Sequence, residues 1–160
     1  MTARLLGPDD ALLWRALWAE AQAEVPGAFA CRPQDSDADS PGAVAARRAS
    51  VRPFVWELAD AEAAVACALW CRDGDPVRAE RRGWVEAVFV RRHVRGRGIA
   101  GRLLAALIED ARAHGIVELW LEVGRGNAAA LSAYVRAGFT PATVPAARAG
   151  ELAMRRRLDA

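Results

Sequence analysis

Gly83-Trp-Val-Glu-Ala-Val-Phe-Val90, followed after four residues by Arg95-Gly96-Arg97-Gly98-Ile99-Ala100-Gly101, is the stretch that decides the fold. The first eight residues alternate and predict a strand over Gly83–Val90. Trp84, Glu86, Val88 and Val90 are expected on one face, and Val85, Ala87 and Phe89 on the other. From Ile99 the period changes. Leu103, Leu104, Leu107, Ile108 and Ala111 recur at helical spacing as far as His114, and Gly115 ends the helix. The Gly-rich turn therefore opens a helix shortly after a strand. Its glycines let backbone N–H groups approach a ligand closely, and a helix N-terminus carries about half a positive charge. Arg92, Arg95, Arg97 and Arg102 add to the field. The combination is an anion site that suits a pyrophosphate.

Working outward, Val117–Val123 reads as a strand, with Val117, Leu119, Leu121 and Val123 on one face and Glu118, Trp120 and Glu122 on the other. Asn127 caps a helix running to about Ala137, and Gly138 closes it. Phe139–Thr143 and Glu151–Leu158 are final strands. Upstream, Phe54–Leu58 and Ala63–Cys71 are two strands joined by a turn near Asp60–Glu62, and Asp73-Gly-Asp-Pro76 is a further turn. Thr2–Leu6 is a first strand. Pro8-Asp-Asp starts a helix to about Glu24, with Leu13, Leu17 and Ala21 as one face and Trp14 and Trp18 beside it. Residues 26–42 hold prolines, three aspartates and serines, and read as a mobile loop. A short helix over about Pro41–Val51 follows. Sheet segments flanked by helices give an α/β or α+β fold in one domain over residues 1–160.

Composition narrows the function. The 160 residues carry a net charge of +2, so the chain is no general polyanion binder and nucleic acid is not expected as a partner. All 22 basic residues are arginine, which excludes lysine chemistry such as a Schiff base or a P-loop. Cys31, Cys67 and Cys71 form no C-x-x-C pair, and Cys67 and Cys71 sit in an apolar run as small core residues. Neither His93 nor His114 has metal-ligand company, so no metal is expected. The run Ala63–Cys71 is far too short to span a bilayer, and the N-terminus is not a secretory signal. A soluble, cytoplasmic protein is the expectation.

Two cofactor classes compete for the turn. Gly96-x-Gly98-x-x-Gly101 with Glu122 downstream formally satisfies a dinucleotide fingerprint. However, charged residues separate its strand from the first glycine. Much of the chain also precedes it, and too little follows Glu122 for a second half-sheet. The alternative is coenzyme A. Val88-Phe89-Val90 with Arg95-x-x-Gly98-x-Ala100 resembles the acetyl-CoA signature of the GNAT superfamily of N-acetyltransferases, Gln/Arg-x-x-Gly-x-Gly/Ala. Leu119-Trp-Leu-Glu-Val123, Asn127-Ala-Ala-Ala-Leu131 and Tyr134-x-x-x-Gly138-Phe139 follow in the family's order and spacing. The resemblance is close over about Trp84–Phe139. Within it, Leu119–Phe139 is similar to bacterial enzymes that acetylate the N-terminal alanine of a ribosomal protein, whereas the first part of the chain is not.

The resemblance implies a mixed, mostly antiparallel sheet of six to seven strands with about four helices. It also implies direct transfer of acetyl from acetyl-CoA to a primary amine. Such transfer needs a neutral amine, a polarised thioester carbonyl and a protonated leaving thiolate. The implied bases are Glu86 and Glu122. The implied carbonyl donors are backbone N–H groups near Phe89 and Val90, and the implied acid is Tyr134. Val88, Phe89, Val90, the turn Arg95–Gly101 (Arg95, Gly96, Arg97, Gly98, Ile99, Ala100, Gly101) and Asn127 are implied to hold the coenzyme. A homodimer is the family habit. A protein N-terminal acetyltransferase and a non-catalytic acyl-CoA-binding protein stand as alternatives.

Overall fold

A computed structural model describes residues 2–25, 51–57, 64–73, 76–143 and 149–158. Among these residues seven strands form one sheet: β1 (Thr2–Leu5), β2 (Val51–Glu57), β3 (Ala64–Arg72), β4 (Arg82–Val90), β5 (Glu118–Gly124), β6 (Thr140–Pro141) and β7 (Glu151–Arg157). Their order is β1-β2-β3-β4-β5-β7-β6. Every neighbouring pair is antiparallel except β4 and β5, which run parallel. Among the described residues the helices are α1 (Ala11–Glu24), α2 (Pro76–Ala79), α3 (Ile99–Ala113) and α4 (Ala128–Arg136). The mixed sheet with flanking helices agrees with the expected fold class. No helix among the described residues is long and apolar enough to cross a membrane.

α3 follows its predicted stripe. Ile99, Leu103, Leu104, Leu107, Ile108 and Ala111 are buried against one sheet face with Trp70, Val85, Leu119, Leu121 and Phe139. Each fully buried leucine or isoleucine contributes about 1.5–3 kcal/mol relative to an exposed one. α1 covers the opposite face, where Leu17 and Ala21 pack with Val55, Cys67 and Phe89. Asp110 fastens α3 to the sheet. It accepts from Arg52 Nε at 2.8 Å and Nη2 at 2.7 Å, and from Trp70 Nε1 at 2.8 Å. Burial pushes its carboxyl up, but the Arg52 and Trp70 hydrogen bonds outweigh that and hold it below the usual carboxylate range.

Several boundaries differ from the sequence reading. The first helix is preceded by a separate 3-10 turn, Pro8–Asp10, because the Asp10 carboxylate turns back to Arg4 and to the Gly7 N–H. β2 starts at Val51, which pairs with Cys71, so the short helix expected to reach Val51 does not include it. β-branched Val51 suits the extended ladder. The rest of that helix, the loop at 26–42 and the turn at Asp60–Glu62 lie outside the described residues. Pro76 opens a single helical turn beyond the expected bend.

The facing expected for Gly83–Val90 is corrected by a bulge. Leu69 pairs with Glu86 and Cys67 with Phe89, so Ala87 and Val88 together oppose Ala68. Ala87 takes φ +55°, rare for a residue with a Cβ. The extra residue flips the alternation. Val85, Val88 and Val90 all pack toward α3, whereas Phe89 packs toward α1. Glu86 lies on the Phe89 face, apart from Val88 and Val90. A bulge leaves no trace in an alternating sequence.

Candidate active site

The glycine turn expected before the helix is present. Gly96 and Gly98 adopt φ +78° and +72°, a left-handed region that a side chain resists. Gly98 is the N-cap of α3, and no side chain caps the helix. The first-turn N–H groups of Ile99, Ala100 and Gly101 therefore have no intrahelical acceptor. A Cβ placed on Gly96 or Gly101 would meet nothing within 4 Å, so open space lies beside the turn. Uncapped donors, a helix N-terminus and room for a bulky group fit a coenzyme diphosphate.

The arginines around the turn are less available than the sequence implies. Arg95 donates through Nε to Val90 O at 2.8 Å, pairs with Glu24 of α1 and lies over the Phe89 ring. Arg92 also meets Glu24, at 3.7 Å, and Arg91 meets Glu20 at 2.9 Å. Arg102 donates to Arg97 O at 2.6 Å and stacks over Trp56. Glu20 and Glu24 thus bind α1 to the loop that leads into the turn. Sequence reasoning missed both, since a glutamate on a helix carries no signal of a partner 71 residues away.

β4 and β5 pair at three positions only: Arg82 with Glu118, Gly83 with Leu119, and Trp84 with Trp120. Beyond Trp84 and Trp120 neither strand bonds to the other, while β4 continues along β3 and β5 along β7. The sheet splits there, and an edge of β4 is left open to an added strand. Glu86 and Glu122 each stand two residues past the last paired position, so both lie on the α1 side of the sheet on opposite sides of the split. Both are partly buried. The split is floored by Trp84 and Trp120, whose rings are 6.0 Å apart. Glu118 is occupied by Arg82 at 3.3 Å and Arg155 at 3.2 Å.

The bulge sits beside this split. The Cys67 thiol donates to Ala87 O at 3.5 Å, and burial, with the Glu20 charge adding, pushes that thiol up to about 12. It is therefore a neutral donor at working pH, on the α1 side beneath the bulge. Tyr134 of α4 is buried and meets Phe139 edge-on at 6.1 Å. Desolvation raises its phenol above the ordinary value. Asn127 accepts from Ala130 N–H at 3.1 Å, which makes it the N-cap expected. His114, at the end of α3, contacts Asp110 O through Nδ1 at 2.7 Å. Among the described residues, no group of three or more His, Cys, Asp or Glu side chains could hold a metal.

Residues 14–139 match the family model described as "Acetyltransferase (GNAT) family". The chain belongs to that family. Over 48 residues this GNAT chain is 46% identical to the [ribosomal protein bS18]-alanine N-acetyltransferase of Salmonella typhimurium, covering 30% of this chain and 32% of that protein. Over 59 residues it is 46% identical to the L-methionine sulfoximine/L-methionine sulfone acetyltransferase of Pseudomonas aeruginosa, covering 36% and 34%. The chain thus matches about a third of the length of these curated relatives. Among solved structures, ribosomal-protein-alanine N-acetyltransferase from Brucella melitensis superposes with TM-score 0.75 at 21% identity, covering 99% of this chain and all of that one. The yncA structure from Salmonella typhimurium, which carries its cofactor acetyl-CoA, superposes with TM-score 0.75 at 20% identity, covering 99% and 94%. These two show a shared fold.

Proposed function

We propose that the protein is an acetyl-CoA-dependent N-acetyltransferase that moves acetyl directly to the primary amine of a small molecule or peptide. The observation that carries this reading is a coincidence of place. An uncapped, glycine-lined helix start stands at the end of the same strand whose far edge is left open by the split. The first suits the coenzyme's diphosphate, and the second suits its extended pantetheine arm. The turn Arg95–Gly101, the strand end Val88–Val90 and Asn127 are the residues proposed to hold acetyl-CoA.

In the transfer, the amine nitrogen attacks the thioester carbon, the C–N bond forms and the C–S bond breaks. A carboxylate takes the amine's proton, and Glu86 and Glu122 are the two candidates, each able to act through water. Tyr134 returns a proton to the departing thiolate. Its phenol is protonated at neutral pH, as the role requires. The backbone N–H of Val90 is the proposed donor to the carbonyl, since those of Phe89 and Arg91 turn to Cys67 and Val65 on β3, and the bulge at Ala87–Val88 redirects this part of the strand.

The relatives favour two acceptor classes: the N-terminal alanine of a ribosomal protein, and a small amino-acid derivative. Competition between a peptide beginning with Ala or Ser and a panel of amino acids, polyamines and aminoglycosides separates them. With the preferred acceptor, Tyr134→Phe is expected to keep acetyl-CoA affinity and lose about 10²-fold or more in kcat. Glu86→Gln or Glu122→Gln, whichever removes the base, loses about 10²–10⁴-fold. Full turnover in Tyr134→Phe would remove the acid role. Full turnover in both glutamine variants would remove the carboxylate base.

A further inference from the structure

We propose that Cys67 is a positioning residue for acetyl transfer: its thiol holds the bulge of β4 so that the Val90 N–H points at the thioester carbonyl. The proposal rests on the N-acetyltransferase reading and adds one residue to it. Cys67 stands on β3, which borders β4 on the side away from the split, so it acts through the backbone between them.

The strained point is Ala87. Its φ of +55° is a conformation that a residue with a Cβ resists. Ala87 and Val88 together oppose Ala68, so the ladder to β3 is interrupted there. The Ala87 carbonyl accepts from the Cys67 thiol at 3.5 Å. The Phe89 N–H, two residues on, donates to the same thiol. One sulfur therefore spans the bulge, as donor at one end and acceptor at the other. The span is buried: Cys67 and Phe89 pack with Leu17, Ala21, Val55 and Ala64. A polar group left unbonded in such surroundings is costly.

The span sets what the open edge presents. Successive N–H groups of a strand point to alternate sides. Arg91 N–H goes to Val65 O at 2.9 Å and Phe89 N–H goes to Cys67, so the Val90 N–H faces the split. Arg95 Nε holds Val90 O at 2.8 Å. The peptide that carries the Val90 N–H is thus fixed at both ends, by Arg95 beyond it and by the sulfur through Phe89 before it. A donor to a developing oxyanion works only in a narrow geometry, and a shift of about 1 Å can cost about 10²-fold. A thiol suits the place because it is small, tolerates an apolar core and offers both a weak donor and a weak acceptor. An aliphatic side chain of similar volume would fill the space without bonding the Ala87 carbonyl.

Three variants of the intact protein separate positioning from packing. Cys67→Val fills the core without a donor, Cys67→Ala lacks both, and Cys67→Ser keeps a donor in a smaller group. The readouts are acetyl-CoA affinity, kcat with the preferred acceptor, and the carbonyl stretch of bound, carbon-13-labelled acetyl-CoA by difference infrared spectroscopy. Cys67→Val and Cys67→Ala are expected to keep acetyl-CoA affinity within about twofold and to lose about tenfold or more in kcat. In both, the carbonyl stretch moves back toward its frequency in free acetyl-CoA, and Cys67→Ser recovers most of kcat and of the lowered stretch. A packing role predicts the reverse order, with Cys67→Val closest to wild type. Full kcat and an unmoved stretch in Cys67→Val overturn the proposal, as does a loss of kcat matched by a loss of acetyl-CoA affinity. If Cys67→Val does not fold, Cys67→Ser against Cys67→Ala decides by the same criteria. A wild-type stretch equal to that of free acetyl-CoA overturns the proposal and leaves the coenzyme site intact. A stretch that follows the variants as expected, in a protein that acetylates no amine, upholds the positioning role and overturns the transferase reading instead. Failure of the wild type to bind acetyl-CoA overturns both.

Discussion

Tyr134 concentrates the residue-scale reasoning. It is the one tyrosine of the chain, so its titration is read without interference. Desolvation disfavours the phenolate and raises the pKa above the ordinary value near 10. The sign follows from linkage. The unfolded chain releases the phenolic proton near pH 10, and the folded chain holds it longer. The stabilisation is complete below about pH 10 and is lost as pH rises further. In alkaline titration, the phenolate absorbance of the folded protein is expected to stay silent through pH 10 and to appear together with unfolding. A reversible midpoint near 10 with the circular dichroism unchanged would place Tyr134 in water and weaken its role as a guarded acid. Gly98 is the other deciding residue. Its left-handed backbone and lack of a side chain turn the chain into α3 while leaving the first-turn donors open.

At the scale of elements, the contact between α1 and the loop after β4 fixes the approach to the glycine turn. Glu24 meets both Arg92 and Arg95, and an incoming diphosphate would compete with it for the same guanidiniums. Exposed pairs of this kind are worth about 0.2–1 kcal/mol. Glu24→Gln is therefore expected to tighten acetyl-CoA binding about two- to fivefold and to steepen its salt dependence. Affinity that is unchanged or weaker would show that Glu24 does not compete for these arginines. Most elements were legible from periodicity and punctuation. The stripe Leu103–Ala111, the cap Asn127 and the left-handed closers Gly115 and Gly138 each carry a local signal. What was not legible depends on partners distant in sequence. The bulge at Ala87 arises from register against β3. The ion pairs of Glu20 and Glu24 reach across 71 positions. Val51 follows an alanine-rich stretch of helical propensity, and only its tertiary pairing with Cys71 makes it a strand residue.

At the scale of the molecule, the split between β4 and β5 organises everything else. One half-sheet, β1 to β4, carries α1 on one face and α3 on the other. The other half, β5, β7 and β6, carries Glu122. The two halves are hydrogen-bonded at three paired positions, and α3 packs across both. The open edge, the anion turn and both candidate bases all lie at or beyond that junction. The candidate site was legible as motifs and in the right order. Its geometry was not, because a bulge separates Glu86 from the face of Val88 and Val90, and the placing of Glu86 and Glu122 on either side of a split depends on where a parallel pairing stops.

The central claim is that the turn Arg95–Gly101 holds the diphosphate of a coenzyme A thioester. Calorimetric titration with acetyl-CoA, run beside NADH, tests it most directly. The account predicts stoichiometric binding of acetyl-CoA, none of NADH, and loss of acetyl-CoA binding in a folded Gly98→Trp variant whose indole fills the space beside the turn. Binding of NADH without acetyl-CoA, or acetyl-CoA binding that Gly98→Trp leaves intact, would contradict it.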